Sequence, residues 1–258
     1  PGNHEFDWGA KVLARCVDAA DMAVLNANLQ LPGEVSAEFA TVLRAKTKPY
    51  MIRDIEGVKI AVIGLNTPGI PNWNPPNRLG GVRFSDTVDT VRRTVEAARA
   101  AGAQVLVLAI HQGFRPWGDD HANQINAIVE AVPELDVIIG AHSHQTVPAT
   151  VLGNTLYTQA GYFGIYTGTI EIVYNTERQR VVRRTSDLTR MDTERPFDTE
   201  LAELCGEHLK AADAKMATVI GEAADTIHAT GAQPRDTPMH KLIFDAFRSG
   251  LAGRGIRV

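Results

Sequence analysis

Four of the eight histidines in this 258-residue chain stand where their chemistry could be used. His111 closes an apolar run, 105–111, and is followed by Gln112-Gly113. His142 and His144 follow a second run, 136–140, in the segment Gly140-Ala141-His142-Ser143-His144. His4 lies near the start, in Gly2-Asn3-His4-Glu5-Phe6-Asp7. Open α/β sheets bind ligands beyond the carboxyl ends of their strands, and two separate runs each deliver histidine to such an end. The two-residue spacing of His142 and His144 in an extended segment puts both rings on one side. Neutral imidazole and the side-chain carbonyl of Asn3 suit borderline divalent ions such as zinc, manganese or iron. Two such ions about 3.5–4 Å apart can clamp a phosphoryl group and activate a water between them. Each feature alone also has a plainer reading. His111 fits a buried or capping residue, His142-Ser143-His144 a solvated loop, and Asn3-His4 a turn. A two-ion site further needs carboxylates, one of them bridging, and no aspartate here suits that role. The gap agrees with a chain that starts after part of its site.

The elements that must position these residues alternate in type. Residues 59–65 form a continuous apolar run, as in a strand buried on both faces. Residues 85–101 place Val88, Val91, Val95 and Ala98 on one helical face, with Ser85 or Asp86 as N-cap and Gly102 as stop. The strand 105–111 follows, then a helix carrying Ile125, Ile128, Val129 and Val132, then the strand 136–140. This order predicts an α/β core with right-handed crossovers. From Thr155 the texture changes, and 156–159, 166–174 and 180–185 read as antiparallel strands of a second sheet or of an edge to the first. Residues 191–196 read as a linker, 198–213 as a helix, 217–221 as the start of a strand, and 239–251 as an amphipathic helix. The stretch 67–83 holds four prolines and Trp73, the pattern of a long ordered loop near a site.

Composition narrows the function classes. With 44% hydrophobic and 22% charged residues, the chain can bury a core without disulfides or structural metals. A formal charge of −4 gives no electrostatic case for binding nucleic acid or a membrane surface. Two cysteines, Cys16 and Cys205, exclude a disulfide framework and a cysteine-rich zinc site. No apolar run is long enough to span a bilayer. Asp119, Asp120 and His121 suit helix N-capping better than a metal group. Arg115 and Trp117 fit either a substrate mouth or a solvated loop. Arg183-Arg184 reads as a solvated strand edge.

Together, Gly2-Asn3-His4-Glu5-Phe6-Asp7, His111-Gln112-Gly113 and Ala141-His142-Ser143-His144 resemble the third, fourth and fifth motifs of the calcineurin-like metallophosphoesterases. The extended first form, with Trp8-Gly9 after it, looks like the 5′-nucleotidase branch, which includes UDP-sugar hydrolases and 2′,3′-cyclic-nucleotide 2′-phosphodiesterase/3′-nucleotidases. The resemblance implies an α/β sandwich of two mixed sheets flanked by helices. Residues 1–191 would be the catalytic domain, truncated at its start, 192–213 a linker and connecting helix, and 214–258 the start of a second α/β substrate domain. It implies two divalent ions (Zn, Mn, Fe, Co or similar), with Asn3, His111 and His142 on one and His144 on the other. His4 would be catalytic, with Asp7 orienting its ring. The activity implied is hydrolysis of a small-molecule phosphoester, a nucleotide, by in-line attack of a metal-activated hydroxide. The family's first two motifs are absent, so this stretch alone is expected to be inactive, and a non-catalytic metal-binding module is the alternative if they are missing from the parent. Ala141 stands where the family has glycine. Export to the periplasm, cell wall or exterior follows from the resemblance, not from any residue here.

Overall fold

The computed structural model describes residues 1–33, 38–192, 196, 198–230 and 237–254. The chain divides into two compact units, Pro1–Arg195 and Pro196–Val258. In the first unit, α1 (Ala10–Ala19), β1 (Val24–Leu25), β2 (Leu29–Gln30), α2 (Glu38–Lys46) and β3 (Thr47–Lys48) lead into the main sheet. That sheet begins with β4 (Tyr50–Ile55) and β5 (Val58–Leu65). Two one-turn helices, α3 (Ile70–Trp73) and α4 (Pro76–Leu79), and the short β6 (Arg83–Phe84) follow. Next come α5 (Thr87–Ala100), β7 (Val105–Ile110), α6 (Ile125–Ala131), β8 (Val137–Ile139), β9 (Thr146–Leu152) and β10 (Thr155–Ala160). The hairpin β11 (Tyr166–Asn175) and β12 (Arg180–Arg190) completes the unit.

The six-stranded sheet runs β4-β5-β7-β8-β10-β9. Its four central strands are mutually parallel, and β4 and β9 are antiparallel edges. Strand alternation explains why the central runs are apolar throughout. On one face Ala61, Ile63, Leu65, Leu106, Leu108, Ile110, Ile138 and Tyr157 pack with Val91, Val95 and Ala98 of α5 and Ile125 and Ile128 of α6. On the other face Val105, Val107, Val137 and Leu156 pack against Ile170, Ile172, Tyr174 and Val181 of the hairpin. Burial on both faces removes the polar half of the usual alternation. A smaller core joins α1 and α2 to the 67–84 region through Phe6, Leu13, Phe39, Leu43, Ile70 and Leu79.

Asp86 caps α5 as expected, its side chain accepting from Asp89 N–H. Other expectations need correction. The segment 156–159 is not purely antiparallel: β10 pairs parallel with β8, so it is a fourth central strand. The α/β fold with sheets flanked by helices is as expected, and its second layer is the antiparallel hairpin β11-β12. Arg184 is not solvated. It pairs with buried Asp136, whose other oxygen accepts from Leu106 N–H, and this ties the hairpin to the main sheet. Its neighbour Arg183 does lie in solvent, paired with Glu171.

The second unit contains α7 (Thr199–Met216), capped by Asp198, and α8 (Pro238–Ala252), capped by Thr237. Residues 217–221 form no strand. They are exposed, and a lone apolar pair (Val219-Ile220) has no partner strand among the described residues. Residues 193–195 of the expected linker lie outside the described residues.

Candidate active site

The carboxyl ends of the four parallel strands open on one rim of the sheet. There β5 delivers Asn66, β7 delivers His111, β8 leads into His142 and His144, and β10 leads into Tyr162 and Phe163. Three of the expected donor atoms meet. Asn3 Oδ1 lies 2.8 Å from His111 Nε2 and 3.3 Å from His142 Nδ1. The two imidazole centroids are 5.3 Å apart. Asn3 is buried.

Several residues beyond the expected ligands hold this cluster. Asn66, fully buried, donates from Nδ2 to Gly2 O and so fixes the backbone just before Asn3. Asn66 is itself clamped by Asn28, which accepts from its N–H and donates to its carbonyl. Gly2 makes room for the imidazole, since a Cβ there would fall 2.6 Å from His111 Cε1. Buried Gln112 receives Gln124 N–H on Oε1 and donates to Asn66 O and Thr87 Oγ1. Gly113 lets the next turn approach, since a Cβ would lie 2.0 Å from Ser143 Oγ. Asn66 had one signal available, because it ends β5 as His111 ends β7.

His142 and His144 adopt left-handed backbone conformations, φ 69° and 58°. Non-glycine residues held there carry strain that the surrounding structure must over-determine, and such positions concentrate at functional sites. Trp73 packs at a tilt against His142, with centroids 5.1 Å apart, and also borders His121 at 6.1 Å. The loop 67–83 is therefore ordered against the cluster, and Gly69 makes room for Trp73, whose Cη2 would lie 2.6 Å from a Cβ. His144 does not join the Asn3 cluster in the same way; its ring stacks on Tyr162 at 5.2 Å.

Burial, and then the neighbouring His142, push the His111 pKa down to about 4, so this ring is a neutral lone-pair donor at ordinary pH. Burial also lowers His142. One carbonyl oxygen and two neutral imidazole nitrogens converging on a point are a fitting donor set for a single divalent ion. Among the described residues no three His, Cys, Asp or Glu side chains converge, so these side chains alone do not complete a two-ion site.

His4 sits differently. It is largely exposed, and its Nδ1 lies 2.7 Å from Asp7 Oδ2. A carboxylate on Nδ1 fixes the ring's orientation and tautomer and leaves Nε2 as the working atom. Glu5 accepts from Gly2 N–H, a backbone role. Asp119 accepts from Asn126 and Ala127 N–H and caps α6, while Asp120 pairs with Arg115 and receives Ala122 and Asn123 N–H. Neither is arranged as a metal group. Trp117 is exposed. A cavity of about 660 Å³ beside the cluster is lined by Gly2, Glu5 and His111 and by the apolar Leu25, Leu65 and Ile110.

This fold, with asparagine and histidines at the rim of a mixed sheet, is the α/β fold seen in solved 5′-nucleotidases. The chain belongs to the family described as bacterial capsule synthesis protein PGA_cap, whose model matches residues 2–159, more than half of its length. It is 24% identical to Endonuclease YhcR of Bacillus subtilis, over 97% of this chain and 21% of that protein. A 5′-nucleotidase of Vibrio cholerae is 32% identical over 57% of this chain and 26% of its own length. Among solved structures, a 5′-nucleotidase precursor from Thermus thermophilus superposes with a TM-score of 0.75 at 23% identity, covering 98% of this chain and 51% of that one. The chain thus spans about a quarter or less of these two curated relatives.

Proposed function

We propose that the polypeptide containing this chain is a metal-dependent hydrolase of nucleotide phosphoesters, with 5′-nucleotidase-like activity. The convergence of Asn3 Oδ1, His111 Nε2 and His142 Nδ1 at the rim of the parallel strands carries this reading. Asn3, His111 and His142 would hold one divalent ion and His144 would contribute to a second. Bound there, such ions supply Lewis acidity at the phosphoryl group and lower the pKa of attacking water. The chain's own part is positional and acid–base. Burial keeps the His111 ring unprotonated and fixed. His4, oriented through Asp7, presents Nε2 to the developing charge and delivers a proton to the departing ester oxygen. The name 5′-nucleotidase borne by the Vibrio cholerae relative supports a nucleotide substrate, and the net charge of −4 argues against a polyanionic one. Export from the cytoplasm is part of the same proposal; no helix of the described residues is long and apolar enough to cross a membrane.

A cyclic-nucleotide phosphodiesterase reading of the same site draws on the Trp73 loop packed over His142. Assay of the full-length polypeptide against AMP, 3′-AMP, 2′,3′-cyclic AMP and UDP-glucose separates the readings, and turnover of AMP is the expected result. Turnover of other phosphoesters but none of these four would end the nucleotide assignment. Elemental analysis that finds no metal would end the enzymatic one.

A further inference from the structure

We propose that Gln159 and Ser143 are positioning residues that set the placement of His142 and His144, an inference that rests on the metal-dependent reading above. Ser143 stands between the two histidines, and both carry left-handed backbone angles, φ 69° and 58°. Such a turn persists only where its surroundings over-determine it. The backbone supplies part of the hold. Ala141 N–H donates to Gln112 O, and Ser143 N–H donates to Ala141 O. The Ser143 hydroxyl supplies a tie to the sheet, donating to Gln159 Oε1 at 3.2 Å.

Gln159 lies in β10 and is 1% exposed. The same Oε1 receives the Tyr157 hydroxyl at 2.6 Å, and that hydroxyl accepts Phe114 N–H. One carbonyl oxygen thus joins the turn that bears His142 and His144 to the segment that follows His111. Two glycines make room for it. A Cβ on Gly113 would strike Ser143 Oγ, and one on Gly140 would strike the Tyr157 hydroxyl. Gln159 Nε2 is buried and has no partner among the described residues. A buried donor left unpaired is costly, and an apolar side chain of similar length would avoid that cost. The acceptor at the other corner of the amide explains why glutamine stands here. With His142 on one ion and His144 on the other, a turn tied at Ser143 fixes the separation of the two ligands. Hydrogen-bonded supports of this kind orient metal ligands and tune affinity.

The test uses Ser143→Ala, which removes the donor, Gln159→Met, which keeps the length and removes the acceptor, and the double variant. The full-length polypeptide, stripped of metal, is titrated with Co(II) and followed by the visible absorption of the bound ion. Ser143→Ala should lower Co(II) affinity about 10–100-fold. The double variant should lose no more than the worse single one, because both substitutions break one bond. Urea unfolding of the metal-free polypeptides separates positioning from packing. Lowered stability with Co(II) affinity unchanged would overturn the proposal, as would losses of affinity that simply add in the double variant. Co(II) binding that depends on Ser143, in a polypeptide that hydrolyses no phosphoester, supports the positioning role and ends the hydrolytic reading. Hydrolysis with Co(II) binding indifferent to Ser143 does the reverse.

Discussion

His111 and His4 serve one rim from opposite settings. His111 is packed against Gly2, partly buried, and directed with His142 at the side-chain carbonyl oxygen of Asn3. His4 lies in solvent with only Asp7 to orient it. The difference separates two tasks that imidazole can perform. A ligand must stay neutral and stay still, and burial enforces both. A group that handles protons or transient charge needs access and orientation, and a single carboxylate supplies the latter.

That contrast can be broken in order of effect. Replacing His111 with Ala should abolish measurable turnover by the full-length polypeptide and remove one equivalent of bound metal, read by elemental analysis. Replacing His4 with Ala should lower kcat by about 10²–10⁴-fold while metal content stays at the wild-type level. Equal metal loss in both variants would erase the distinction. Asp7→Asn should cost less, about 10–100-fold in kcat, because the ring remains and only its orientation is loosened.

The smallest effect concerns the support beneath the buried half. Tyr157 hydroxyl donates to Gln159 Oε1, receives Phe114 N–H, and lies where a Cβ on Gly140 would strike it. Tyr157→Phe should cost about 1–2 kcal/mol, since two polar groups lose a partner. Burial pushes the Tyr157 phenol up to about 12. The folded state therefore holds its proton longer than the unfolded chain, whose phenol ionises near 10. The stability from this neutral phenol is fully present below pH 10 and disappears as pH rises toward 12. Urea unfolding of wild type and Tyr157→Phe across that window should show the gap between them narrowing. A constant gap would mean that the phenol is not buried as described.

The sequence made some of this visible. Strands β5, β7 and β8 were legible because burial on both faces demands apolar side chains at every position. The four histidines stood out because polar rings at the ends of such runs are hard to explain by packing. The parallel pairing of β10 with β8 was hidden, since β10 is also the second strand of an antiparallel hairpin with β9 and only its other neighbour reveals the parallel pairing. β4 and β9 were missed because their mixed residues carry no clear period. Asn66 was missed, and Gln112 was given no role, because a buried amide in a polar turn looks like any turn residue. Nothing in the letters Tyr162-Phe163 betrays a left-handed phenylalanine, for the strain arises from the turn between two glycines.

The two edge strands carry a consequence for self-association. β9 contains Pro148, which has no N–H to offer a newcomer, and the exposed end of β4 carries Arg53 and Asp54. A stray strand meets a missing donor at one border and charge at the other. The sheet is therefore a poor template for its own extension, so at high concentration these chains should stay dispersed instead of joining edge to edge into fibres.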